Sequence, residues 1–385
     1  MREHVRELRR PAADGAPPFE LSYVRTGPRT ATPALIIPGG PGLASLLPYR
    51  GLRRRAAEGG LDVLMVEHRG VGRSRHDLAG RVLPADAMRL TAVLDDLAAV
   101  LDAEGVDRAY LIGSSYGSYL SSSFGARHPD RVAGMLLDSA LQSTEDLALE
   151  RERLRTLFWD ADDDVSRGVR RLVSDGIDER VVLDVVRAAY ELAGPDLVRP
   201  LVRHRPGLAW HALAAYASRD ASIARIPGIY EFDVVGTIAF RELHYGAAPD
   251  GLPLDPALTY APLAERYPAF AGEPYDLTAA VAGFPWPMVL LSGDRDLRTP
   301  PEIAERVART APDATLVRLH NGHSALDTHP MALLNATRRL VRGEHHRLPA
   351  EEPALDRLRR TGVSARFPHL LQTLAHADTA VRPRR

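Results

Sequence analysis

Ser115 lies in Gly113-Ser114-Ser115-Tyr116-Gly117, a G-x-S-x-G pattern. The apolar run Ala109-Tyr110-Leu111-Ile112 precedes it, and a helical stretch to about Arg127 follows. Strand, sharp turn and helix are the setting a nucleophilic serine needs, because flanking glycines let the backbone approach its neighbours while the turn projects the hydroxyl. The helix start brings N–H groups and a positive dipole end close by. A serine hydroxyl is a weak nucleophile until an imidazole takes its proton, and a carboxylate must hold that imidazole in one tautomer. Both partners are found late in the chain. Leu290-Leu291-Ser292-Gly293-Asp294-Arg295-Asp296 puts two acids just past an apolar run. Asp296, further round the turn, is the expected acid, and Asp294 is expected to tie down the loop. His323, in Asn321-Gly322-His323-Ser324 after the last apolar run, is the expected base. His320, His329 and Ser114 read as structural, and Asp138 at the end of an earlier strand is the alternative acid.

Acyl transfer builds negative charge on the former carbonyl oxygen, which donors fixed in advance stabilise. The backbone N–H of Tyr116 should be one such donor. The N–H of Gly40, within Pro38-Gly39-Gly40-Pro41-Gly42, should be the second.

These residues need a scaffold that brings strand ends together. Leu35 to Ile37, Asp62 to Val66, Ala109 to Ile112 and Val132 to Leu137 are short apolar runs separated by helical periodicity, as at Leu90, Val93, Leu94, Leu97, Val100 and Leu101. This implies an α/β fold with a mostly parallel central sheet covered by helices on both faces. From about 141 to 284 the chain is Arg-, Asp- and Ala-rich, with helical spacing at Val182, Val185, Val186 and Ala189 and no convincing buried strand. The sheet pattern resumes at Met288 to Leu291 and Thr315 to Val317. Residues 1–140 and 285–385 are therefore expected to form the catalytic domain, and 141–284 a helical cap over the strand ends.

The 385 residues carry 49 basic and 50 acidic side chains, a net charge of -1, with 45% hydrophobic and 26% charged residues. That balance gives no basic footprint for nucleic acid. With no cysteine, disulfides, thiolate chemistry and Cys-ligated zinc are excluded. The charged start Met1-Arg2-Glu3-His4 lacks the apolar stretch of a signal peptide, and no run approaches the ~20 residues that span a bilayer. A cytoplasmic location, a small-molecule or short-peptide substrate, and no metal or organic cofactor are the expectations; the oligomeric state is not legible.

These motifs resemble the proline iminopeptidase and tripeptidyl-aminopeptidase-like branch of the α/β-hydrolases. Pro38 to Gly42 is similar to that family's His-Gly-Gly-Pro-Gly turn, and Glu67-His68-Arg69-Gly70-Val71-Gly72-Arg73-Ser74 to its Asp-Gln-Arg-Gly-x-Gly-x-Ser segment. Gly293 to Pro300 resembles Gly-x-x-Asp-x-x-Thr-Pro, and Gly322-His323-Ser324-Ala325 resembles Gly-His-Ser-Ala. Glu242-Leu243-His244-Tyr245 is similar to the family's Glu-Asn-His-Tyr, whose glutamate binds the substrate's free amine. The resemblance implies α/β-hydrolase architecture, Ser115, Asp296 and His323 as triad, and Glu242 as amine anchor. Pro38 in place of histidine and Glu67-His68 in place of Asp-Gln depart from the pattern around the oxyanion turn. An aminopeptidase acting through an acyl-enzyme is the leading expectation. An esterase, lactonase or amidase of secondary metabolism is the alternative, followed by a non-catalytic binding protein. A serine at the elbow, where dehalogenases and epoxide hydrolases need aspartate, argues against both of those.

Overall fold

The structure, a computed structural model, describes residues 4–13, 15–203, 206–221, 225–360 and 370–374. The first three residues and the terminal Arg-Pro-Arg-Arg lie outside these. In chain order the strands are β1 (Arg6–Arg10), β2 (Phe19–Thr26), β3 (Ala34–Ile37), β4 (Val63–Val66), β5 (Ala109–Ser114), β6 (Val132–Asp138), a small hairpin of β7 (Arg225–Ile226) and β8 (Tyr230–Glu231), then β9 (Met288–Gly293) and β10 (Ala314–Leu319). All but the hairpin form one sheet ordered β1-β2-β4-β3-β5-β6-β9-β10. The β1-β2 and β2-β4 pairs are antiparallel and the rest parallel.

Side chains alternate across the sheet, so neighbours on one strand enter different cores. Leu35, Leu111 and Leu290 face one core while Ile36, Ile112 and Leu291 face the other. Helix α1 (Arg50–Glu58) lies on the second face, and α2 (Leu90–Ala103) and α3 (Tyr116–Arg127) on the first. Burial on both sides explains why the central strands read as unbroken apolar runs.

Between β6 and β9 the chain forms α4 (Leu147–Arg155), α5 (Asp164–Ser174), α6 (Glu179–Ala193), α7 (Pro195–Arg203), α8 (Leu208–Ala221), α9 (Phe232–Leu243) and α10 (Leu277–Ala280). Helices α4 to α8 share their own core, including Leu154, Val169, Val182, Val185, Val186, Ala189, Leu197 and Leu213. Each fully buried valine or leucine there contributes about 1.5–3 kcal/mol. Helices α9 and α10 instead place Val235, Ile238, Leu243 and Leu277 in the main domain's core. The insert is stitched to the turn after β3: Glu231 N donates to Gly42 O at 2.9 Å and Ala44 N to Ile229 O at 2.9 Å. Arg75 adds a bidentate pair with Asp233 at 2.9 and 2.6 Å.

The chain closes with α11 (Pro301–Thr310), α12 (Ala325–Thr328), α13 (Pro330–Val341) and α14 (Leu348–Asp356). The last described segment returns to the insert, where Leu371 is fully buried in its core. Parallel register aligns Ile37 with Gly113, Ser114 with Asp138, and Asp138 with Leu291. The carboxyl ends of β3, β5, β6 and β9 thus lie side by side, where open α/β sheets place ligands.

Candidate active site

Ser115 occupies the turn between β5 and α3 with φ 54° and ψ −122°, a conformation that costs a side-chain-bearing residue of order 1–3 kcal/mol. Its neighbours leave no room for side chains. A Cβ on Gly113 would lie 2.1 Å from Gly117 O, and one on Gly117 would lie 2.1 Å from Ile37 O. The turn is held by Ser115 N donating to Asp138 O at 2.9 Å.

Three residues distant in sequence meet at this point. Ser115 Oγ lies 2.9 Å from His323 Nε2, and His323 Nδ1 lies 3.0 and 3.1 Å from the two Asp296 oxygens. A carboxylate only accepts, so the imidazole proton belongs on Nδ1 and Nε2 accepts from the serine. Asp296 is fully buried and also accepts from Arg298 N at 3.0 Å, Thr299 N at 2.9 Å and Thr299 Oγ1 at 2.7 Å. Burial favours its neutral form, but His323 and the Thr299 donors outweigh that and hold it below the usual carboxylate value. For His323, burial acts against the charged form, yet the facing Asp296 raises it above an ordinary imidazole.

Asp138 has a different occupation. It accepts from Ser114 Oγ at 2.7 Å, Ala325 N at 2.9 Å and Leu326 N at 2.9 Å. Burial pushes its carboxyl up to about 6. It thereby fastens the start of α12, next to His323, onto the elbow strand, and Ser114 also meets Ser324 Oγ at 2.9 Å. Replacing Asp138 by alanine would strand two buried N–H groups and is expected to cost about 3 kcal/mol, read from the midpoint of urea unfolding. Asp294 accepts from Asn321 N at 3.1 Å and pairs with His320 Nδ1 at 2.7 Å, fastening the same loop from outside. His329 is buried at the start of α13.

The turn after β3 is braced by two charged side chains that sequence reading treated only as departures or not at all. Glu67 Oε2 accepts from Ser45 N at 2.6 Å and Leu46 N at 3.0 Å, while Arg53 donates to Ser45 O at 2.8 Å and Leu46 O at 2.7 Å. Both are buried. His68 Nδ1 meets Arg69 O at 2.6 Å, which makes it the donor and leaves Nε2 to accept from Tyr116 Oη at 3.2 Å. Burial lowers this imidazole to about 4, so it is neutral at pH 7. Gly39 lies close under the nucleophile, where an added Cβ would come within 3.1 Å of Ser115 Cβ. Gly40 has φ +122°. Among the described residues the amides of Gly40 and Tyr116 donate to no protein acceptor.

Ser115, His323, Gly39 and Gly40 border a cavity of about 780 Å³ between the sheet and the helical insert. Its lining includes apolar and aromatic residues, among them Leu43, Ile229, Tyr230, Tyr245 and Tyr260. It also includes the charged residues Glu150, Arg187, Glu191, Arg295, Arg298 and Arg360. Glu242 does not border it. Its Oε2 accepts from Leu90 N at 2.8 Å, capping α2, and its Oε1 is held by Arg241 at 3.1 Å. The amine-anchor expectation at Glu242 therefore meets a carboxylate already engaged elsewhere. No group of three or more His, Asp or Glu among the described residues is placed to hold a metal ion. None of their helices is long and apolar enough to cross a membrane.

Residues 32–330 match the family model described as the alpha/beta hydrolase fold. The chain belongs to the alpha/beta hydrolase fold family. This hydrolase-fold chain is 28% identical to a probable proline iminopeptidase of Streptomyces coelicolor over 181 residues, 46% of this chain and 52% of that one. It is 31% identical to epoxide hydrolase B of Mycobacterium tuberculosis over 80 residues, 21% of each chain. The hydrolase-fold chain thus spans between a fifth and about half of the length of these relatives. Among solved structures it is similar to proline iminopeptidase of Mycobacterium smegmatis, with TM-score 0.52 and 17% identity, covering 96% of this chain and 100% of that one. It is also similar to VinJ, with TM-score 0.55 and 18% identity over 88% and 98% of the two chains. At such identities the likeness concerns the fold.

Proposed function

We propose that the protein is a serine hydrolase that works through an acyl-enzyme and releases an N-terminal residue from short peptides, in the manner of a proline iminopeptidase. The observation that carries this is the continuous hydrogen-bonded chain Ser115–His323–Asp296 opening into the cavity. In this mechanism Ser115 Oγ attacks the carbonyl carbon as His323 Nε2 takes its proton, with Asp296 stabilising the imidazolium. The oxyanion accepts from the Tyr116 and Gly40 amides. His323 then protonates the departing amine, the C–N bond breaks, and the acyl group stays on Ser115. Water, deprotonated by His323, hydrolyses that ester and frees the amino acid.

We assign amine recognition to carboxylates that border the cavity, Glu150 and Glu191, in place of Glu242. Burial raises Glu150 to about 7, although Arg187 lies 3.1 Å away. A substrate ammonium beside it would favour the carboxylate. Binding then requires Glu150 ionised and the α-amine protonated. KM for free-amine substrates is expected to fall as pH rises through about 7 and to climb again once the α-amine deprotonates near ~8. Amine-free acyl esters should lack the first limb. Glu150→Gln should raise KM for aminoacyl chromogenic amides about tenfold or more. Equal losses on both substrate types would remove the role.

The engagement of Glu242 by Leu90 and Arg241 favours a second reading, an ester or amide hydrolase with no requirement for an amine. A panel of aminoacyl amides against simple acyl esters decides: turnover of amine-free esters alone ends the peptidase reading.

A further inference from the structure

We infer that Arg295 and Arg360 form an anion subsite at the histidine side of the cavity, which takes a carboxylate on the leaving half of the substrate. The inference rests on the acyl-transfer reading of Ser115. Both arginines border the cavity, along with His320. Arg295 is an unusually underused guanidinium. Its Nε is buried with no hydrogen-bond partner, its approach to Asp294 is 3.9 Å, and its hydrogen bond to His320 O is long at 3.5 Å. Arg360 donates to Asn321 Oδ1 at 2.6 Å and to the same His320 O at 2.7 Å.

Two guanidinium groups brought to one loop repel each other and lose hydration, a cost that a bound anion relieves. The carboxylates facing them are Asp294 and Asp356, and both are engaged with the loop. Asp294 uses one oxygen on Asn321 N at 3.1 Å and the other on His320 Nδ1 at 2.7 Å. Asp356 Oδ1 accepts from His320 N at 2.8 Å. In keeping with this geometry, burial holds both arginines below their ordinary value, and Arg295 lowers Arg360 further.

The position also fixes which half of the substrate is read. In the proposed mechanism His323 Nε2 delivers the proton to the leaving group, so that group lies next to the histidine loop. Arg295 N donates to Asn321 O at 3.0 Å, two residues before His323. A short peptide whose C-terminal carboxylate reaches this loop matches the site, and a blocked or long peptide does not.

The test compares kcat/KM for di- and tripeptides as free acids and as C-terminal amides, in wild type and in Arg295→Met, Arg360→Met and Arg295→Lys. A ratio taken within each variant cancels losses of folding or of loop position. The expected wild-type preference for the acid is about tenfold or more, expressed in KM, falling toward unity in the two methionine variants and partly kept in Arg295→Lys. Acid and amide cleaved alike by wild type, or a ratio that survives Arg295→Met, would overturn the subsite. A second arm uses acyl esters of 4-hydroxybenzoate and of 4-hydroxybenzamide. Preference for the carboxylate ester with no peptide cleaved keeps the subsite and ends the aminopeptidase reading. Peptide cleavage indifferent to the C-terminus does the reverse.

Discussion

Ser115→Ala is expected to lower kcat by roughly a millionfold, to a residue supplied by binding and the oxyanion donors. The elbow geometry is why no neighbour can substitute. Ser114 is the adjacent hydroxyl, but it donates to Asp138 at 2.7 Å and is buried against Ser324. Labelling by a fluorophosphonate should likewise vanish in this variant. Alanine keeps the Cβ that already stands at φ 54°, so the fold should tolerate the change. Labelling that persisted would put the nucleophile elsewhere.

The second large effect is expected from Asp296→Asn, about 10⁴-fold in kcat. The side chain would keep its shape and its place beside Thr299, but its amide would present a donor to Nδ1. The imidazole would then carry its proton on Nε2, facing the serine as a donor instead of a base. The pH profile separates this from a packing defect. In the proposed mechanism activity needs neutral His323, and Asp296 holds that imidazole above the ordinary 6.5, so wild-type kcat/KM should rise with pH through an apparent value above 6.5. Removing the charge takes away the cause of the elevation. The residual activity of the variant should therefore rise at lower pH than wild type. An unshifted limb would place the titrating group elsewhere.

Strands β1 and β2 are not legible in the sequence, whereas β3 to β6, β9 and β10 are. The difference is burial. Arg6–Arg10 is an edge strand with mostly exposed side chains, and Phe19–Thr26 carries Glu20, Ser22 and Arg25 among its apolar residues. Neither presents the continuous apolar run of a strand covered on both faces. Val182, Val185, Val186 and Ala189, whose spacing reads as helical, are all buried. That α9 packs with the main core depends on which apolar face finds which partner, a long-range choice that spacing alone cannot encode.

The sequence by itself determined the chemistry on offer: a serine between obligatory glycines, an acid and a histidine in later turns, and strands whose ends must face one way. Local sterics and strand hydrophobicity are written residue by residue, so these features survive without coordinates. Only the tertiary structure decided how each polar side chain is used. Asp138 fastens the histidine loop, Glu67 and Arg53 brace the turn after β3, and Glu242 caps α2, while Glu150, Glu191, Arg295 and Arg360 come to border the cavity. A carboxylate or guanidinium in water has no preferred partner. Desolvation makes pairing obligatory, and the partner is whichever donor or acceptor the packed chain brings within reach.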